Sequence, residues 1–216
     1  MFRFRSIVIL LAALVLAPPP AHAATMTPPP PEHRADPSLT TYVERAGPYT
    51  LDAYETLNKL AYVKPPPVAG AIVAMDARLV DAKARPIPQY HAMLHHLVFT
   101  NGGADDGRED AACPGRSTRE RFYGTSEELR PLTLPPGYGY PTTPADHWRA
   151  LMMVMHHRAG EQKFFLEYRV TVDPRPQIPV TPYWLSVVPC TPDPQWTVPG
   201  GGRGEHFNSR TFTMPK

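Results

Sequence analysis

Short apolar runs, each closed by proline or glycine, recur along the chain from Gly47 onward. In Lys163–Val172, Phe164, Leu166, Tyr168, Val170 and Val172 fall on one face of an extended chain, and Glu167, Arg169 and Thr171 on the other. A period of two marks a half-buried strand. Ala71–Val80 opens in the same way, with Ile72 and Ala74 opposite Val73 and Met75. Further strands are expected at Tyr49–Val63 (broken in the middle), Tyr90–Thr100, Glu120–Gly124, Trp148–His157 and Tyr183–Val188. No segment holds a helical period over three turns. About seven or eight short strands, with turns every ~8–15 residues, predict an all-β domain: an antiparallel jelly-roll-like β-sandwich over residues 47–190.

Composition reinforces this. Proline fills 29 of 216 positions, against a usual ~5%, and an interior proline breaks the helical hydrogen-bond ladder. Residues 24–46 are Thr/Pro-rich, with Pro28 to Pro31 consecutive. This composition favours polyproline II and buries little, so a disordered arm is expected there. Residues 191–216 read as a Gly/Pro-rich tail, with Pro199-Gly200-Gly201-Gly202 as a linker.

The start of the chain reads as a signal peptide over residues 1–23. Arg3 and Arg5 supply the positive end, Ile7 to Ala17 the apolar run, and Ala21-His22-Ala23 the small-x-small cleavage pattern. That run is far shorter than the ~20 residues a membrane span needs, so export to the periplasm or the extracellular space is expected, with no membrane span. Removing Arg3 and Arg5 lowers the basic count from 22 to 20, equal to the 20 acidic residues. A chain of zero net charge carries no electrostatic footprint for nucleic acid, and that partner class is set aside. Cys113 and Cys190 are expected to pair as a disulfide in an oxidising compartment; two buried thiols or soft metal ligands are the competing readings.

Histidine carries the chemistry. His95-His96 and His156-His157 are adjacent pairs inside apolar strands. A buried imidazole needs a hydrogen-bond partner at each nitrogen or a metal at one. Two strands that each deliver histidine can surround one ion, and imidazole donors suit copper or zinc, with copper favoured by intrinsic affinity. Neighbouring histidines share an ion only where the strand bends or bulges, because side chains alternate between faces. Histidines satisfied within the core are the competing reading; Met152, Met153 and Met155 could serve as thioether ligands for Cu(I), but at this spacing they read as core packing. The chain has no Gly-x-Ser-x-Gly elbow, no phosphate loop and no His-Glu-x-x-His.

Met93-Leu94-His95-His96-Leu97-Val98-Phe99 resembles the His-His strand in the first domain of the copper type II, ascorbate-dependent monooxygenases of the peptidylglycine hydroxylating class. Cys113, Leu134-Pro135-Pro136-Gly137-Tyr138-Gly139 and Met155-His156-His157 follow in that family's order. The chain is also similar to the stress-up-regulated nodulin family. The resemblance covers roughly residues 50–190 and implies a jelly-roll domain holding one copper through His95, His96 and either His156 or His157. It also implies a small reductant such as ascorbate. The hydroxylase pattern needs a second copper domain, and only 26 residues follow Cys190. The expected function is therefore an exported copper-binding sandwich related to the electron-transfer half of such an enzyme. The alternatives are copper sequestration and a metal-free secreted interaction module.

Overall fold

The computed structural model describes residues 36–102, 108–116, 118–187, 190–191, 197–198, 200, 202 and 204–213. The expected signal peptide, and the expected arm up to residue 35, lie outside the described residues. The described residues form ten strands: β1 (Thr40–Leu51), β2 (Thr56–Tyr62), β3 (Gly70–Val80), β4 (Ala92–Asn101), β5 (Glu120–Ser126), β6 (Leu132–Thr133), β7 (Tyr138–Thr142), β8 (Arg149–His156), β9 (Gln162–Asp173) and β10 (Ile178–Pro179). One sheet runs β1-β9-β3-β7-β10, with β6 also on β3; the other runs β2-β8-β4-β5. Every pairing is antiparallel except the two-residue β7–β10 contact. The two sheets pack as a sandwich, the fold class that the alternation predicts.

Each sheet turns one apolar face inward. Leu166, Tyr168 and Val170 on β9 meet Leu94, Leu97 and Phe99 on β4 and Met152 and Val154 on β8, all fully or nearly fully buried. Burial of each such side chain stabilises the fold by about 1.5–3 kcal/mol. Phe99 joins the layers: its ring lies 5.2 Å from Tyr168 of the opposite sheet and 5.8 Å from Tyr123 of its own.

The structure departs from the expected pattern at three places. β1 begins at Thr40, inside the segment expected to be an arm, because residues 40–46 find ladder partners on β9. Residues 183–187 form no strand; Trp184 instead lies on β5, where a Cβ at Gly124 would come within 3.1 Å of its ring. In β3 a bulge between Ile72 and Ala74 shifts the register, so Ile72 and Met75 are both buried.

One polar group in the larger sheet has a measurable role. Glu167 on β9 is 3% exposed and stands opposite Arg45 of β1 and Arg78 of β3. Its two carboxylate oxygens accept from Arg45 Nε at 2.8 Å and Arg78 Nη2 at 2.6 Å. Burial by itself would raise this carboxyl; the hydrogen bonds from Arg78 and then Arg45 outweigh it and hold it below the ordinary 4.5. A lowered folded-state value means that the stabilisation is complete above 4.5 and disappears as pH falls through the lowered value. Glu167→Ala is expected to cost about 2–3 kcal/mol near neutral pH, below the range for a wholly buried pair because both arginines are partly solvated. In urea unfolding, the difference from wild type should shrink steadily as pH drops below 4.5.

Candidate metal centre

The first histidine pair lies in β4 at a β-bulge. Leu94 stands opposite Val154 and His96 opposite Met153, so His95 is the extra residue. Strict alternation from buried Leu94 would send His96 inward and Leu97 outward. The bulge resets the count: Leu94 and Leu97 are both buried, while His95 is exposed and His96 half-buried. Both imidazoles therefore reach the outer face of the β2-β8-β4-β5 sheet together.

Their geometry suits a shared ligand. The two Nδ1 atoms are 3.4 Å apart, with ring centroids at 5.6 Å and planes at 73°. That separation is long for a hydrogen bond, whose usual range ends near ~3.2 Å. Two nitrogens each ~2.0–2.1 Å from one ion in a tetrahedral arrangement lie about 3.3–3.4 Å apart. The observed spacing is close to this bite, which suits a tetrahedral ion; a tetragonal Cu(II) would draw the two nitrogens to about 2.9 Å. The donor set fits copper or zinc, both of which accept imidazole.

The second pair is placed differently. His156 closes β8 in phase with Val154 and Met152 and is 5% exposed. Its Nδ1 lies 2.6 Å from the Asp52 carbonyl oxygen, so that nitrogen carries a proton and donates. His157 is exposed just past the strand, with its backbone N–H donating to the His91 carbonyl at 2.9 Å. His91 Nε2 in turn accepts from Arg158. Among the described residues, no three His, Cys, Asp or Glu side chains gather closely enough to hold an ion. The structure thus brings His95 and His96 together and does not bring His156 or His157 to them.

Methionines stand in register with the pair on the same face. Alternation along β8 divides its methionines: Met152 is fully buried, whereas Met153 and Met155 lie on the outer face. Met153 is the direct cross-strand neighbour of His96, and Met155 that of Met93. Direct neighbours on one face have Cβ atoms about 4.5–5.5 Å apart, within the reach of a thioether. Sequence alone favours core packing for all three methionines over a thioether role, because the pairing that separates them is a property of the sheet.

The remaining elements of the expected motif have structural roles. Cys113 and Cys190 form a disulfide, with Cα atoms 5.3 Å apart. The turn over residues 134–139 serves the other sheet: Leu134 N donates to the Val73 carbonyl at 2.9 Å, and a Cβ at Gly139 would lie 2.5 Å from the Ala71 Cβ. Only glycine allows β7 to approach β3 that closely.

Comparison with known proteins gives a distant relationship. The chain is 26% identical over 136 residues to a protein of Phoma sp. (strain ATCC 20986 / MF5453) described as "Probable copper-dependent oxygenase M1". The match spans 59% of this chain and 34% of that protein, so the chain corresponds to about a third of its relative's length. No family model matches the sequence, and no solved structure matches it significantly. The relationship is to a copper-dependent oxygenase, at a distance.

Proposed function

We propose that this chain is an exported copper-binding β-sandwich, related to the electron-transfer half of a copper monooxygenase, in which His95 and His96 hold one copper ion through their Nδ1 atoms. The observation that carries this reading is the 3.4 Å separation of those nitrogens at the β4 bulge. The distant copper-dependent relative supports the choice of metal. The Cys113–Cys190 disulfide supports an oxidising compartment, and no helix among the described residues is long and apolar enough to cross a membrane.

When bound, copper would supply one-electron exchange between Cu(II) and Cu(I), with a small reductant such as ascorbate as the electron source. The chain's part is to fix the two imidazoles. The bulge sets their bite, and the buried Leu94 and Leu97 on either side clamp the backbone beneath them. An exposed His95 beside a half-buried His96, on the outer face of the sheet, leaves the ion open to a small reductant. Protein loaded with Cu(II) should therefore bind one equivalent, show a type 2 signal, and lose that signal on addition of ascorbate. Retention of the signal under ascorbate would favour sequestration over redox work, and absence of bound copper at micromolar concentration would favour a metal-free interaction module.

The third donor in this proposal is the Met153 thioether, the cross-strand neighbour of His96; His156 is buried on the inner face of β8, and neither it nor His157 gathers with His95 and His96. Thioether prefers Cu(I). Met153→Leu is expected to weaken Cu(I) binding by roughly 10–100-fold, in the range set by perturbing a metal's surroundings, and to leave Cu(II) binding within about threefold. Chelator competition in each oxidation state measures both. Loss of binding in His157→Ala, with Met153→Leu unchanged, would assign the third position to histidine.

A further inference from the structure

The outer face that carries His95 and His96 continues into a cavity of about 420 Å³, at the lower end of the ~300–1,000 Å³ usual for small-molecule sites. Its floor is a row of apolar side chains in register across three strands: Leu60 of β2 opposite Leu151 of β8, and Leu151 opposite Val98 of β4. Its walls are basic. Arg116, Arg119, Arg121 and Arg149 line it, together with Thr100, Thr118 and Cys190, and no acidic side chain does so among the described residues.

The arginines are held in different ways. Arg121 is 6% exposed; its Nη1 lies 3.2 Å from the Asp110 carboxylate, and its Nη2 donates to the Thr191 carbonyl. Arg119 donates to the His147 carbonyl at 3.0 Å, and Arg149 lies over the Tyr62 ring at 5.1 Å. Asp110 offsets the charge of Arg121, whereas stacking on a ring leaves the Arg149 charge in place. A concave site with low-dielectric walls and one sign of charge concentrates ions of the opposite sign. Guanidinium groups also match a carboxylate in a bidentate fashion.

We infer that this cavity binds a small carboxylate with an apolar body, its anionic end against Arg116 and Arg149 and its hydrocarbon on Leu60, Val98 and Leu151. The apolar floor favours an organic carboxylate over an inorganic anion, which would leave the three aliphatic side chains facing water. Val98 and Leu151 lie two positions along their strands from His96 and Met153 on the same face, a rise of about 6.7 Å. An occupant thus lies beside the histidine pair, although its binding requires only the cavity and is independent of whether copper is held.

The test uses the full chain freed of metal with a chelator, and calorimetric titration with 3-phenylpropanoate, its uncharged amide and inorganic phosphate. The expected result is a sub-millimolar dissociation constant for the carboxylate, at least tenfold tighter than for the amide or for phosphate. Arg116→Gln with Arg149→Gln should weaken the carboxylate at least tenfold while leaving the thermal midpoint unchanged. Leu151→Glu serves as a second probe that sets a like charge on the floor and keeps the walls, and it should abolish binding. Equal affinity for the carboxylate and the amide, tighter binding of phosphate, or an unchanged affinity in the folded double variant would each overturn the inference.

Discussion

His95→Ala and His96→Ala are each expected to weaken copper binding by about 100-fold or more, with almost no cost in stability. Perturbing groups that merely orient a ligand already costs about 10–100-fold, and removing a ligand itself costs at least as much. With two imidazoles fixed at a tetrahedral bite, the loss of either leaves one nitrogen and a thioether, too few for selective capture. Stability should change by no more than about 0.5 kcal/mol, because neither ring enters the core. Competition against a chelator of known affinity gives the first quantity and urea unfolding the second. His206→Ala, at an exposed position remote in sequence, is the control and should behave as wild type. A wild-type copper affinity in His95→Ala would remove the ion from the bulge.

Opening the disulfide is the largest stability change to be expected. Cys113 and Cys190 close a loop with a sequence separation of 77, for which the chain-entropy model gives about 4.5 kcal/mol. For a domain of this size that corresponds to a fall of roughly 10–15 °C in thermal midpoint. The bond also holds the backbone beside Arg121, whose guanidinium donates to Thr191 and pairs with Asp110. Releasing residue 190 weakens the wall of the arginine-lined cavity as well as the fold. The double variant Cys113→Ser/Cys190→Ser should show the full fall in a thermal scan, and the wild-type chain treated with a reductant should show the same fall. A midpoint within about 3 °C of wild type would mean that the loop is already ordered by other contacts.

What could be read in the sequence was what depends on local period. Lys163–Val172 alternates except at Phe165, and β9 carries the five residues Phe164, Leu166, Tyr168, Val170 and Val172 inward as that alternation requires. The break within Tyr49–Val63 is also local, set by the turn-forming stretch between Leu51 and Thr56. Other features depended on partners distant in the chain. The stretch over residues 40–46 has no apolar stripe, and it becomes a strand because the edge of β9 offers ladder hydrogen bonds. Residues 183–187 have the composition of a strand, but Trp184 is drawn onto the bare surface at Gly124.

The candidate site divides along the same line. Two histidine doublets stand out in any reading of the chain, yet only a bulge places adjacent rings on one face, and its position is set by how β4 registers on β8. Met152 and Met153 are indistinguishable by type; one is core and the other faces His96 because a single residue step reverses direction in a strand. The four arginines of the cavity come from two strands and the adjoining connection, and no linear spacing reveals that they converge.

Whether copper sits on the paired imidazoles is decided by a copper-edge anomalous difference map from crystals of the copper-loaded protein. One strong peak is predicted, about 2.0–2.1 Å from the Nδ1 atoms of both His95 and His96, on the outer face of the smaller sheet. A peak centred on other residues, or none beside these two rings at full copper loading, would contradict the assignment.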